Sequence, residues 1–336
     1  MYHKADHPSG NPAAVIDRLA FRAALEKAKL FVVGGSSTMP ILANVRLMAD
    51  DGNLAIVATD LDTEMKIVIP GDVDSRLDTT LPATPLIAGA KKAKSDRVTI
   101  NMLPMEPEQT DDDSGGRVLV SYDKVAFTLN ALPAADFPVM EKSKGKMVRF
   151  SLPGSSFWDA LDAVKGAAST EETRYYLNGI YLYPHSSEAL RFVATDGHRL
   201  HCQEVAMPSG AAALPGIIMP NYVIANLHKL MSGKACPKRV DLHVADDQFT
   251  VSWDGVSLRS KTIDGTFPDY GRVIPTSNSL TAILDADELQ RAIETVTVIR
   301  SGRGGALKLA FSSGACRLTF YDMEYGTAAA DIAFDG

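Results

Sequence analysis

The sequence predicts an α+β protein built from tandem copies of one domain, each with two helices packed on antiparallel sheets, and three observations lead there. The run Leu54-Ala-Ile-Val-Ala-Thr-Asp60 returns as Leu190-Arg-Phe-Val-Ala-Thr-Asp196, identical at five of its seven positions and 136 residues later. The pair Phe137-Pro138 returns as Phe267-Pro268 after 130 residues. Between these marks a stretch of helical period is followed, again and again, by short alternating runs. A period near 130 residues is the size of one domain, so the 336 residues hold two copies and about half of a third. The expected limits are 13–140, 141–267 and 268–336, the last an incomplete copy.

The elements follow in order. Asp17 caps a helix expected to run to Val33, with Leu19, Ala20, Ala23, Leu25, Ala28 and Leu30 as its apolar stripe and Gly34-Gly35 as its stop. Strands are expected at Ile41 to Leu47, Leu54 to Thr59 and Glu64 to Ile69. A second helix is expected from Thr84 to about Lys94, with Pro85 at the first helical position, then strands near Val98 to Met102, Arg117 to Tyr122 and Lys124 to Leu129. Helices recur at Ser155 to Lys165, Asn221 to Met231 and Asp287 to Ile299, each followed by strand-like runs. Two helices on one face of antiparallel sheet per copy form a layered α+β arrangement.

Composition narrows the function classes. With 46% hydrophobic and 22% charged residues the chain can bury substantial cores. No apolar run approaches the roughly 18 residues of a membrane span, and the first residues lack the apolar stretch of a signal peptide, so a cytoplasmic protein is expected. Cys202, Cys236 and Cys316 are odd in number and far apart, which suggests neither a disulfide framework nor a paired-cysteine metal site. The acidic run Asp111-Asp112-Asp113 reads as a hydrated loop. A formal charge of -7 leaves nucleic acid possible if cations gather on one surface. Lys27, Lys29, Lys91, Lys92, Lys165 and Lys229 lie on or at the ends of the expected helices, as Arg300 and Arg303 follow the fifth. Cations at helix C-termini are favourable in themselves, so this placement has a structural reading as well as a functional one.

The densest chemical cluster is Thr195-Asp-Gly-His-Arg-Leu-His-Cys202. His198, His201 and Cys202 offer metal ligands or a cysteine–histidine pair for a hydrolase, but their spacing fits none of the usual zinc patterns and no orienting group is evident. As a strand connector, Asp196-Gly197 is a good turn in which glycine accommodates a positive φ. Physics alone favours the turn.

Arg174-Tyr-Tyr-Leu-Asn-Gly179, Val193-Ala-Thr-Asp-Gly-His-Arg-Leu200 and Phe267-Pro-Asp-Tyr270 with Arg272-Val-Ile-Pro275 resemble, in order and spacing, the bacterial DNA polymerase III beta subunit family, the sliding clamps. Thr38-Met-Pro-Ile-Leu-Ala-Asn44, Ala58-Thr-Asp-Leu61 and Leu132-Pro-Ala-Ala-Asp-Phe-Pro138 resemble the first domain of that family. The resemblance implies the DNA clamp fold and a homodimeric, head-to-tail ring around double-stranded DNA, gripped without sequence preference. It implies no catalytic residue, no cofactor and no metal. Tyr175, Tyr176 and the six lysines named above would face DNA. The replicative polymerase alpha subunit, the clamp loader and repair proteins would dock short peptides in a pocket of Arg174, Tyr176, Leu177, Thr195, Gly197, His198, Arg199, Leu200, Pro268, Arg272 and Val273. Val298 and Ile299 would supply one half of the dimer interface, and the first domain of a second protomer the other. A clamp-like peptide-binding module that forms no ring is the alternative, with the His198/His201/Cys202 hydrolase behind it.

Three positions depart from the family's pattern. Ser36, Thr84 and Glu171 stand where an arginine, a basic residue and an amide are usual for DNA contact, which implies weaker phosphate binding. The resemblance also implies one more helix and further strands after Gly336, the last of them lining the peptide pocket, and hence a weakened ring closure for this chain.

Overall fold

The computed structural model describes residues 11–34, 38–104, 116–302 and 304–334. Ser36, Arg303 and the acidic run at 111–113 lie outside the described residues. The chain divides between Phe267 and Pro268 into two compact units.

The first unit holds two repeats. The first comprises β1 (Ala14–Asp17), α1 (Arg18–Ala28), β2 (Asn44–Asp50), β3 (Asn53–Thr59), β4 (Thr63–Ile69), β5 (Gly71–Val73), β6 (Asp78–Pro82), α2 (Ala83–Lys92), β7 (Arg97–Met102), β8 (Arg117–Tyr122) and β9 (Val125–Asn130). The second comprises β10 (Val148–Pro153), α3 (Gly154–Lys165), β11 (Gly179–Pro184), β12 (Ala189–Thr195), β13 (Leu200–Ala206), β14 (Ile217–Pro220), α4 (Asn221–Leu230), β15 (Arg239–Val244), β16 (Gln248–Trp253) and β17 (Val256–Lys261). Their wiring is the same. The strand before the first helix pairs with the strand after the second, β1 with β7 and β10 with β15. The meander β2-β3-β4 corresponds to β11-β12-β13, and β6 or β14 pairs back onto its first strand.

Local chemistry explains the helices and their limits. The Asp17 carboxylate accepts the Ala20 N–H at 2.7 Å and starts α1. Phe21, Ala24, Leu25 and Ala28 form its buried face, spaced as one helical stripe. Leu19, expected in that stripe, is 60% exposed instead, because Phe21 sets the phase. Nor does the helix reach Val33. A 3-10 turn at Lys29–Phe31 buries Phe31, and the Val33 N–H then bonds the Leu42 carbonyl at 3.0 Å. The strand expected from Ile41 begins only at Asn44, since Pro40 opens a 3-10 turn that buries Ile41 and Leu42.

The repeats are joined through their sheets. β17 pairs antiparallel with β4, setting Leu258 opposite Met65 and Ser260 opposite Thr63. An eight-stranded sheet, β10-β15-β16-β17-β4-β3-β2-β6, therefore runs through both repeats, with β5-β1-β7-β8-β9 and β13-β12-β11-β14 as the other two sheets. One continuous core fills the unit, and Phe21, Phe31, Phe157, Phe192 and Phe249 are all fully buried in it. Burying one such side chain stabilises by about 1.5–3 kcal/mol.

The second unit contains α5 (Ala286–Val296) and the antiparallel sheet β18 (Leu307–Ser312), β19 (Ala315–Asp322) and β20 (Gly326–Ala333). Asp285 caps α5 by accepting the Glu288 N–H at 2.8 Å. The helix ends at Val296 with a 3-10 turn at Thr297–Ile299, short of the α-helix expected to Ile299. A small core of Ala292, Cys316, Leu318 and Ile332 holds it together.

Candidate functional site

The same turn is built three times. Between β3 and β4 the Asp60 carboxylate accepts the N–H groups of Asp62 and Thr63 at 3.1 and 2.7 Å. Between β12 and β13 Asp196 accepts those of His198 and Arg199 at 2.9 and 3.0 Å. Between β19 and β20 Asp322 accepts those of Glu324 and Tyr325 at 2.9 and 3.1 Å. In the first two the preceding threonine reinforces the turn. Thr59 donates to the Thr63 carbonyl at 2.8 Å, and Thr195 to the Arg199 carbonyl at 2.7 Å. The aspartate is thus a scaffold that satisfies turn N–H groups, and what differs between copies is the cargo on the turn.

In the second repeat the cargo is Gly197-His198-Arg199-Leu200. Gly197 has φ +87, and a Cβ there would lie 2.5 Å from an Nη of Arg174. The Arg174 guanidinium is held in that position by a fork to Glu171, Nε to Oε2 at 2.9 Å and Nη2 to Oε1 at 2.7 Å. This pairing holds the Glu171 carboxyl below its usual range and raises Arg174. The N–H groups of His198 and Arg199 hold the Asp196 carboxyl down to about 2, and Arg199 Nε bonds its other oxygen at 3.0 Å. His198 and Arg199 are exposed, Leu200 half-buried, while Thr195 and Leu177 are buried. Tyr175 and Tyr176 meet edge to face at 5.9 Å, with Tyr175 exposed.

Fold therefore brings Arg174 onto the turn of Thr195 to Arg199, from which it is separated in the sequence, to form one patch. Glu171, read from the sequence only as a DNA-weakening substitution, is a partner of Arg174; the spacing of three residues was its one visible signal. Pro268, Arg272 and Val273 belong to the second unit. There Pro268 and Val273 are exposed, and Arg272 pairs with Asp269 at 2.9 Å.

The hydrolase reading gains no support from the geometry. Along β13, His201 and Cys202 alternate, as successive strand residues must. His201 Nδ1 lies 3.1 Å from the Ala163 carbonyl of α3, and no three metal-ligating side chains converge among the described residues.

The lysine set divides. Lys27, Lys29, Lys91, Lys92 and Lys229 make no ion pair among the described residues, whereas Lys165 is tied to Asp162 and lies 3.0 Å from His228 Nε2. His228 bonds Asp162 at 2.8 Å and stacks on Trp158 with ring centres 4.6 Å apart. Thr84 lies exposed in the first turn of α2, and Val298 is 80% exposed at the end of α5.

Comparison with known proteins settles the family. Residues 14–141 match the DNA polymerase III beta subunit N-terminal domain and residues 151–269 its central domain. The Caulobacter vibrioides beta sliding clamp is 36% identical over 330 residues, covering 95% of this chain and 84% of that protein. The chain belongs to the beta sliding clamp family. The Escherichia coli beta sliding clamp is 31% identical over 319 residues, 90% of this chain and 80% of its own length. Among solved structures, the Caulobacter crescentus clamp matches with a TM-score of 0.86 at 35% identity, covering 97% of this chain and 85% of that one. The Bartonella birtlesii clamp bound to griselimycin matches at 0.84 and 32%, covering 96% and 84%. Beta sliding clamps are non-catalytic processivity factors of DNA polymerase III, and the fold here is the clamp fold that the resemblance implied. Neither the hydrolase nor the ringless module finds support in these relatives. No helix among the described residues is long and apolar enough to cross a membrane.

Proposed function

We propose that this chain acts in the cytoplasm as the processivity clamp of a bacterial replicative polymerase, closing as a head-to-tail homodimer around double-stranded DNA. Three domains of one fold, 13–140, 141–267 and 268–336, are the frame of this reading. The observation that carries the ring is the pairing of β17 with β4. By the repeat, β9 is the counterpart of β17, and β20 is the counterpart of β4. Both are edge strands in their sheets, and an unpaired edge is a template for another strand. A second copy placed head to tail repeats the joint as β20 on β9. Exposed Val298 beside that sheet, with Ile299, supplies apolar contact, and Val125 on β9 is exposed as well.

Within the ring Lys27, Lys29, Lys91, Lys92, Lys165 and Lys229, with Tyr175 and Tyr176, face the duplex. Contacts of this kind bind phosphate without reading bases. The turn of Thr195 to Leu200, with Arg174, Tyr176 and Leu177, receives peptides of the polymerase alpha subunit, clamp loader and repair proteins. The test is retention on nicked circular DNA after incubation with a clamp loader. Protein that stays on the circle and leaves when the DNA is linearised supports a topological clamp; protein never trapped defeats the reading.

A further inference from the structure

We propose that the cleft at the joint of the two repeats is a second docking groove, which takes a short basic peptide through an apolar anchor. The inference rests on the reading that the equivalent turn of the second repeat receives partner peptides.

The cleft has a volume of about 790 Å³ and is walled by Leu61, Val139, Met140 and Ile218. Leu61, Val139 and Met140 are the first-repeat counterparts of partner-pocket motifs. Leu61 sits in the Asp60 turn where Gly197 sits in the Asp196 turn, and Val139-Met140 follow Phe137-Pro138 as Asp269-Tyr270 follow Phe267-Pro268. Leu61 adopts φ +81, the left-handed region that Gly197 occupies at φ +87 in the equivalent turn, but with the steric cost that a side chain adds and glycine lacks. Leu61 is 40% exposed on the cleft. Strain of this kind concentrates at ligand clamps.

The walls are fixed in place. The Met140 N–H bonds Glu64 at 3.3 Å and its carbonyl accepts from Arg259 at 3.2 Å. Gln248 donates to the Glu141 carbonyl at 3.0 Å, and the Ile263 N–H to the Ile218 carbonyl at 2.9 Å. A site that is already ordered loses little entropy on binding.

Charge selects the occupant. Lys261, the one cation among the residues lining the cleft, is neutralised by Asp62 at 2.7 Å. Glu141, Asp246 and Asp264 stand exposed on the rim without a cationic partner among the described residues. A negative rim around apolar walls repels nucleic acid and favours lysine and arginine beside a hydrophobic side chain.

The probe is a fluorescein-labelled Lys-Arg-Leu-Phe-Lys peptide, with Glu-Asp-Leu-Phe-Glu as its acidic control, read by anisotropy. The basic peptide is expected to bind, to shift the Met140 methyl resonance in ¹³C-methyl-methionine protein, and to weaken at least tenfold in Val139→Asp and in the Glu141→Lys, Asp246→Lys double variant. All three substituted positions are exposed, and the Met140 signal reports the groove without any substitution. Absence of binding, equal binding of the acidic peptide, or loss of binding in Arg174→Ala alone would overturn the groove. Loader-dependent retention of the unsubstituted chain on circular DNA tests the partner-pocket reading separately, so failure of one is distinguishable from failure of the other.

Discussion

The Arg174 guanidinium lies over Gly197, 2.5 Å from where a Cβ would stand. Glycine here answers two demands, a positive φ and the close approach of a cation. Gly197→Ala is expected to cost about 1 kcal/mol in backbone strain and to push Arg174 aside. Because a guanidinium can move at little cost, the larger effect falls on partner-peptide affinity, at least tenfold by anisotropy, against a small shift in the urea midpoint.

Glu171 holds two donors of Arg174 and adds a negative charge close in the chain to Tyr175 and Tyr176. Glu171→Gln is expected to raise duplex affinity about two- to fivefold at low salt, with no gain at high salt, where surface charges are screened. The same variant leaves the thermal midpoint unchanged, since exposed pairs contribute little. Electrophoretic mobility at two salt concentrations reads both outcomes.

Asp196 titrates near 2 in the folded turn against about 3.9 in an unfolded chain. A depressed carboxyl stabilises fully above the unfolded value and loses that contribution as the pH falls through the folded one. The turn is therefore expected to be insensitive between pH 7 and about 4, and to loosen from there towards 2. Amide resonances of His198 and Arg199 should move with a midpoint near 2; a midpoint near 4 would show that the two N–H bonds are not made in solution.

Lys91 and Lys92 make no ion pair among the described residues, while Lys165 is committed to Asp162. Replacing Lys91 and Lys92 by alanine should flatten the salt dependence of duplex binding by about 0.9 for each phosphate that is no longer neutralised. Lys165→Ala should change that slope far less. Equal slopes for the two variants would contradict the assignment.

The Tyr222 hydroxyl of α4 donates to the Leu30 carbonyl of the first repeat at 2.8 Å, and its ring meets Phe31 edge-on at 6.1 Å. Burial first, and the Asp60 carboxylate next, raise its phenol well above the usual range. Tyr222→Phe keeps the ring contact and removes the bond, so unfolding free energy should fall by about 0.5–1.5 kcal/mol, seen as a lower urea midpoint with an unchanged slope.

Repeats, the α+β class, the Asp17 cap and the Asp196-Gly197 turn were legible because they depend on contacts within a few residues. A carboxylate two or three residues before an N–H, or an alternating strand, carries its signature in the order of side chains. The phase of α1 was not legible, since Leu19 and Phe21 are both apolar and only packing against the core decides which is buried. The Arg174 perch on Gly197, the commitment of Lys165 to Asp162, the β17–β4 joint and the cleft around Leu61 were settled by tertiary structure alone. Each brings together groups distant in sequence or chooses among nearby partners that the sequence leaves equivalent. The sequence by itself determined the repeated unit and the family to which it belongs; which side chains meet was decided by the packing of helices on sheets, because burial and charge pairing act through space.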